Sequence, residues 1–377
     1  MDMETLKFEI LEDPKAFERL QAGWEYLCDE LANSITVFAT HAWYQSWWKH
    51  FSGDAKLQLY AMWQGDTLVG LAPLMRKKLS FHGLPVRTFG FIQNNESLHN
   101  DFIVLPEFRT LFLQKLIQSL FEQASGWDVL YFRNISPNSD NYKSRVEVLD
   151  AEGRTWKQKA TPYDTPFLIP SGSWSDYFAG RSRRTRKTLK NIRNKVHNAG
   201  KVSVKHIRTW DEFLSCKEGL LEVAQQSWSE NLGGSFASEV NRNFYESLAH
   251  NSAEKGWLSI WALYLDNRII AVEFHLRAFG REHALRGHYH PEFASLSPGT
   301  YLEMAILEHV FEEKVRVHIY DFCGAFDTYK KKWTDTSVPH CDLFIFKDKM
   351  YSRCIMFNEF NLVPFLRKIL QSAKIIR

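Results

Sequence analysis

The sequence predicts an α+β chain made of two similar domains, each a mixed, mostly antiparallel sheet flanked by helices. Three observations carry this. The chain has 377 residues, 45% of them hydrophobic, which is enough to bury two cores. The order helix, hairpin, helix, strand occurs twice along it. Between the two runs, residues 161–175 hold Pro162, Pro166, Pro170 and Gly172, which read as a connector. The expected domains are therefore 1–165 and 166–345, followed by an amphipathic tail, 346–377.

In the first half, a helix is expected near Pro14 to Leu31, followed by the aromatic segment ATHAWYQSWWKHF. Next comes a hairpin in which LQLYAMW turns through Gln64-Gly65-Asp66 into TLVGLAPLM. A helix from Thr110 to Gln123 follows, with Leu111, Leu113, Leu116, Ile117 and Leu120 apolar, and then the strand DVLYFRNI from Asp128. The second half repeats this order. A helix runs through Phe213 to Trp228, WLSIWALYL turns at Asp266-Asn267 into IIAVEFHLRA, a helix spans Thr300 to Val315, and VHIYDFCG closes the run. TLVGLAPL and RIIAVEFHL lie in equivalent places, as do DVLYFRNI and VHIYDFCG.

Composition narrows the function classes. A formal charge of +3 is small for this length, so the whole chain is not built to bind a polyanion. The five cysteines are scattered with no metal-ligand spacing, which predicts reduced thiols and no structural zinc. No apolar run of membrane-spanning length and no secretory leader pattern appear, so the expected location is cytoplasmic.

The charge is unevenly placed. From Tyr177 to Trp210 there are eleven Lys or Arg and no acidic residue. Leu189, Ile192 and Val196 form one narrow apolar stripe, which predicts a docked helix with its other faces cationic, ended by Asn198-Ala199-Gly200. Arg183, Arg184, Arg186 and Lys187 are its candidates for phosphate or substrate. Donor phosphates, an anionic lipid or glycan, and nucleic acid all fit such a surface, nucleic acid least because no recognition motif accompanies it. The tail VPFLRKILQSAKIIR sets Phe365, Leu366, Ile369, Leu370 and Ala373 against Arg367, Lys368, Lys374 and Arg377, a cationic amphipathic pattern that also fits docking on the protein.

Two further segments suggest a site for an anionic, group-bearing donor. In SLSPGTYLEM, Ser297 can cap a helix, Pro298 suits its first turn, and Gly299 and Thr300 offer backbone N–H groups to phosphate, although an ordinary capped helix reads the same way. In YDFCGAFDTYKKKW, a buried strand runs into a turn and a lysine cluster, where Lys330 and Lys331 can neutralise phosphate. Asp321, inside an apolar strand, needs a hydrogen-bond partner or a cavity. On IIAVEFHLRA, alternation puts Glu273, His275 and Arg277 on one face, which is either solvated or turned to a cleft.

Taken together, AWYQSWWKHF and LVGLAPL in the first half, with SRRTRKTLKNIRNKV, YHPEFASLSPGTYLEMAI and YDFCGAFDTYKKKW in the second, resemble the tandem GNAT acyltransferases of the CelD-like, cellulose-biosynthesis branch. The chain is also similar to Fem-type transferases and to bacterial ceramide synthases. One departure is His290 before Pro291, where that family usually has an acidic residue. The resemblance implies an acyl-CoA or acyl carrier protein thioester as co-substrate, with no tightly bound cofactor. It implies an amine or hydroxyl acceptor on an envelope lipid, sphingoid base or glycan; with the cationic surface of residues 183–193, the expected place is the cytoplasm, either free or peripheral at the inner face of the cytoplasmic membrane. The first half, with no glycine at its helix start, would be the degenerate copy. Acyl transfer needs a proton acceptor, for which Glu273 or His275 is the candidate, Asp321 being a further carboxylate. Tyr329 is placed as tyrosines that protonate the leaving thiolate are in many GNAT enzymes. The alternatives are Fem-like transfer from aminoacyl-tRNA and a non-catalytic scaffold for anionic lipid or glycan.

Overall fold

The computed structural model describes residues 6–122, 126–162, 164–227, 238–313 and 317–372. The strands in chain order are β1 (Leu6–Leu11), β2 (Lys56–Gln64), β3 (Thr67–Phe81), β4 (Leu84–Phe91), β5 (Ile103–Val104), β6 (Val129–Ile135), β7 (Trp156–Ala160), β8 (Thr165–Leu168), β9 (Val202–Ile207), β10 (Leu258–Leu265), β11 (Arg268–Ala278), β12 (Arg281–Tyr289), β13 (Ile319–Asp321), β14 (Ser337–Val338) and β15 (Cys341–Phe346). The helices are α1 (Ala16–Glu30), α2 (His41–Phe51), α3 (Arg109–Glu122), α4 (Asp140–Ala151), α5 (Trp174–Gly180), α6 (Arg183–Ala199), α7 (Trp210–Gln226), α8 (Glu239–Glu254), α9 (Pro298–Glu312), α10 (Met350–Phe357) and α11 (Val363–Ser372). Of the expected residues, Gln123, Trp228, Val315, Ala373, Lys374 and Arg377 lie outside the described ones.

The chain forms two compact units. The first comprises Met1–Tyr44, Ser52–Pro162 and Pro339–Arg377, and the second Gln45–Phe51 and Tyr163–Val338. Each holds one α+β sheet. In the first the strand order is β1-β2-β3-β4-β6-β15-β7, with β5 also on β3; in the second it is β9-β10-β11-β12-β13-β8-β14. Both sheets are antiparallel except for one parallel pair each, β4 with β6 and β12 with β13. The two orders match strand for strand, as the repeated motif order predicted.

Both hairpins form where the turn residues permit. Gly65 has φ of 56°, and Asp266 and Asn267 have φ of 49° and 71°, the left-handed pair that a tight two-residue turn demands. Each hairpin carries a bulge at the same step from its turn, at Met62/Trp63 in one and Leu263/Tyr264 in the other. The first core packs α3, through Phe112, Leu113, Leu116 and Ile117, on Leu74, Phe91 and Phe132 of its sheet. The second packs α9 and the Leu189–Ile192–Val196 stripe of α6 on Trp261, Leu263 and Ile270. The expected stripe is thus the docked face of α6.

The domain limits differ from the sequence expectation, in which 1–165 and 166–345 are continuous domains: Gln45–Phe51 falls in the second unit and Pro339–Arg377 in the first. The 161–175 connector contains β8, which pairs with β13 and β14 of the second sheet. In the first sheet the same position beside the parallel pair is taken by β15, antiparallel to both β6 and β7. Residues 341–345, expected in the second domain, therefore complete the first, because β15 buries Leu343, Phe344, Ile345 and Phe346 there. The tail is not separate either, since Ile355 of α10 packs with Phe344 and Phe346 of the first unit.

Those four β15 side chains represent roughly 6–12 kcal/mol of apolar burial, comparable to the whole stability of a domain. A chain ending at Val338 should therefore lose the cooperative unfolding transition of the first unit and keep that of the second. Calorimetry of the truncated and full chains checks this; an unchanged pair of transitions would contradict it.

Candidate active site

The second sheet carries a buried row of ionisable side chains. His275 on β11 is fully buried, with Nε2 2.9 Å from Glu273 Oε2 and Nδ1 3.0 Å from Glu282 Oε1 on β12. Glu282 Oε1 also accepts the Ser259 hydroxyl at 2.5 Å. That hydroxyl lies 2.9 Å from His206 Nε2, so with its proton given to Glu282 it accepts from the His206 ring. His206 stacks on Trp261 at 3.7 Å, and burial lowers its pKa to about 3, which keeps it neutral.

Burial opposes a charge on His275, but the hydrogen bonds and charges of Glu273 and Glu282 prevail and raise its pKa to about 10. The ring is a cation with both N–H groups donated, so it has no lone pair with which to take a proton. Alternation correctly placed Glu273 and His275 side by side, but on a central, buried strand. A ring so held does not fit the expected proton acceptor, and its contact with Glu273 positions that carboxyl.

Two acids that sequence reading passed over complete the cluster. Glu282 is one. Glu303 of α9 is the other; it is buried and accepts the Tyr320 hydroxyl at 2.6 Å. Burial first, then the charge of Glu273, lifts the Glu303 carboxyl well above the usual carboxylate range. The signal was available: Glu303 shares a helical stripe with Gly299, Ile306, Leu307 and Val310, where an acid is out of place. Tyr329 retains half its surface, while burial of its phenol and the charges of Glu303 and Glu273 push its pKa upward, so it stays a proton donor.

Above this cluster the parallel strands part. β12 and β13 pair only at Arg281↔Ile319, Glu282↔Tyr320 and His283↔Asp321, although β12 continues to Tyr289. Beyond Asp321 the chain turns away through Cys323 and Gly324, with φ of 50° and 56°. Asp321 Oδ1 accepts the Cys323 N–H at 2.8 Å, so this carboxylate braces the turn. Lys330, expected at phosphate, is buried and donates to the carbonyls of Cys323 and, at 3.0 Å, Ala325. Burial lowers its pKa, and it ties the turn instead. Lys331 is exposed, 5.8 Å over the Phe326 ring.

Lys332 reaches the start of α9 in its place, with Nζ 3.4 Å from Thr300 Oγ1. A cation at the positive end of a helix is repelled unless an anion is held there. Ser297 precedes that helix in the left-handed conformation, φ 54°, and makes no side-chain cap, contrary to expectation; Pro298 occupies the first turn. A Cβ on Gly299 would meet only Tyr289 Cδ1, at 3.8 Å, so the folded chain alone does not require glycine there. His290 Nδ1 accepts the Glu292 N–H at 3.3 Å, capping the turn that begins at Pro291 as an acidic side chain would.

Counted from its turn and bulge, β3 of the first unit has Ala72 and Leu74 where β11 has Glu273 and His275. Both belong to the apolar core. On α6, Arg193 pairs with Glu308 of α9 at 2.6 Å, and His197 Nε2 lies 3.1 Å from the Tyr301 hydroxyl. Arg183, Arg184 and Lys187 are exposed and Arg186 half-buried; among the described residues no ion pair holds them.

Two outcomes follow from these placements. His275 and Glu303 both bind protons more tightly folded than unfolded, so their contribution is present below the unfolded pKa values and is lost as the pH rises. For His275 the loss spans its ordinary 6.5 to about 10. Melting temperature should therefore be lower at about pH 9 than at about pH 6, with Glu303→Gln narrowing the difference. Gly299→Ala should stabilise the protein by about 0.4–1 kcal/mol while weakening any ligand held on the α9 amides; denaturation and calorimetric titration with CoA read the two signs.

Residues 183–331 match the model of an acetyltransferase (GNAT) domain, so the second unit carries an acyltransferase domain of that class. No curated protein matches the sequence as a relative. Among solved structures, the chain is similar to FemX, at 13% identity and a TM-score of 0.57 over 92% of this chain and 100% of that one. It is similar to the C-terminal DUF2156 domain of a lysylphosphatidylglycerol synthetase from Agrobacterium fabrum, at 9% identity and a TM-score of 0.53 over 89% and 95%. L-PGS from Bacillus licheniformis matches at 11% identity and a TM-score of 0.50 over 92% and 96%. At such identities the likeness is one of fold, and the fold is that of two GNAT-like units in tandem.

Proposed function

We propose that the second unit transfers an acyl group from a CoA or carrier-protein thioester to an amine, or a hydroxyl, of an envelope lipid, sphingoid base or glycan. The observation that carries this reading is the meeting of Tyr289, Gly299, Thr300 and Lys332 where β12 and β13 part. The carboxyl ends of parallel strands are where ligands enter open sheets. Lys332 and the α9 amides suit the phosphates of a CoA-type donor, while Arg183, Arg184 and Lys187, at the other end of α6 from His197, are exposed cations for an anionic part of either substrate.

In this reading the acceptor nitrogen attacks the thioester carbonyl carbon, the C–N bond forms and the C–S bond breaks. The ammonium proton passes to Glu273, which His275 orients. The leaving thiolate takes a proton from Tyr329. The first unit, with Ala72 and Leu74 in place of the acid and its partner, serves the acceptor or the scaffold. Among the described residues no helix is long and apolar enough to cross a membrane.

Transfer from aminoacyl-tRNA is the second reading, favoured by the exposed cations of α6 and the fold shared with FemX. Purified protein with acyl-CoA and a panel of long-chain amines, read by free thiol, tests the first. Glu273→Gln should cost 10²–10⁴ in turnover with CoA affinity retained. Failure to bind or turn over any thioester, with activity on charged tRNA, would transfer the case to the second reading.

A further inference from the structure

The end of the first unit carries a surface that neither reading uses. α10 is fixed to the sheet: Ile355 is buried, the Ser352 hydroxyl donates to Asp128 O at 2.8 Å, and the Tyr351 hydroxyl to Pro85 O at 2.7 Å. A turn of π-helix, Asn358–Leu362, joins α10 to α11. Within it Phe360 packs edge-on to Phe344 at 5.2 Å, and Glu359 is buried against Lys159 Nζ at 2.6 Å and His82 Nε2 at 3.2 Å. Beyond Leu362 the anchoring stops, and α11 has no buried residue.

What α11 presents is one apolar stripe. Leu362, Phe365, Leu366 and Ile369 follow at three- and four-residue steps and are 40%, 60%, 46% and 48% exposed. The i→i+5 spacing of the π turn sets Phe357, 59% exposed, one turn before Leu362. Arg367 and Lys368 flank the stripe. From Met350 to Ser372 the one acid is Glu359, and it is turned inward onto Lys159 and His82. The outward face is therefore apolar and cationic with no negative charge of its own. A water-soluble helix normally turns such a stripe to its core and mixes charges on the other side.

We infer that α11 is an interfacial anchor that lays its Phe357–Ile369 stripe into the surface of an anionic phospholipid membrane. An apolar face between basic residues suits the headgroup boundary: the aromatic and aliphatic side chains enter the acyl edge while Arg367 and Lys368 meet lipid phosphates. A second copy of the chain is disfavoured as occupant, because two such faces would set like charges together. The π turn gives the anchor its form, since it carries an inward acid and an outward stripe within one continuous helix. The inference does not depend on acyl transfer, and a protein inactive toward thioesters would still test it.

The test is flotation of the full chain with vesicles of phosphatidylcholine alone and of phosphatidylcholine with phosphatidylglycerol. Binding is expected to the anionic vesicles, weakened by salt. Phe365→Ser with Ile369→Ser, and separately Arg367→Glu with Lys368→Glu, should each reduce it about tenfold or more, with unchanged melting temperature because these side chains are exposed. Arg183→Glu with Arg184→Glu on α6 is the control and should retain binding. No flotation with either vesicle, loss only in the α6 variant, or a dimer in light scattering that Phe365→Ser with Ile369→Ser converts to monomer, would each overturn the anchor.

Discussion

A cation held between two carboxylates in the middle of a sheet is the interaction on which the second unit depends. His275 is held by Glu273 and Glu282, and Glu282 in turn also by the Ser259 hydroxyl and Arg277, so removing one member leaves buried charge short of a partner at a cost of about 3–5 kcal/mol. The arrangement is built by ordinary means. Two-residue spacing puts Glu273 and His275 on one face of β11, and a bulge at Phe274/His275 resets the register with β12. Glu282 then lies within reach of the ring from the next strand. A cluster this expensive to assemble, set below the point where two strands separate, is hard to explain as packing alone.

The first unit is the internal comparison. It repeats the hairpin, the bulge and the parallel pair, and at the two positions in question it keeps Ala72 and Leu74 in an apolar core. The frame therefore does not need charged side chains at these two positions. The buried pair Glu273–His275 is thus a feature of the second unit at a place where the first has apolar side chains.

Much of this was legible because it is local. Turn residues at Gly65-Asp66 and Asp266-Asn267 announced the hairpins, and Leu189, Ile192 and Val196 announced the docked face of α6. Glycine at 299 marked the helix start. What could not be read depends on partners distant in sequence. The protonation of His275 is decided by Glu282 on another strand. Lys330, Lys331 and Lys332 are indistinguishable as a run, yet a 3₁₀ turn sends one inward to two carbonyls, one outward, and one to Thr300. Helix α8 was missed although Phe244, Tyr245, Leu248 and Ala249 have helical spacing, and β15 was misassigned because nothing in CDLFIF names its partners.

The crossed placement of β8 and β15 bears on how the chain is made. About 180 residues separate β7 from β15, which at about 5–20 residues per second is on the order of ten seconds or more of synthesis. Throughout that interval β6 has an open edge beside it, with Leu130 and Phe132 awaiting their neighbour. The nascent protein must either be shielded during this wait or be spared by the slow pairing of its other strands, and its earlier-made unit becomes its later-finished one.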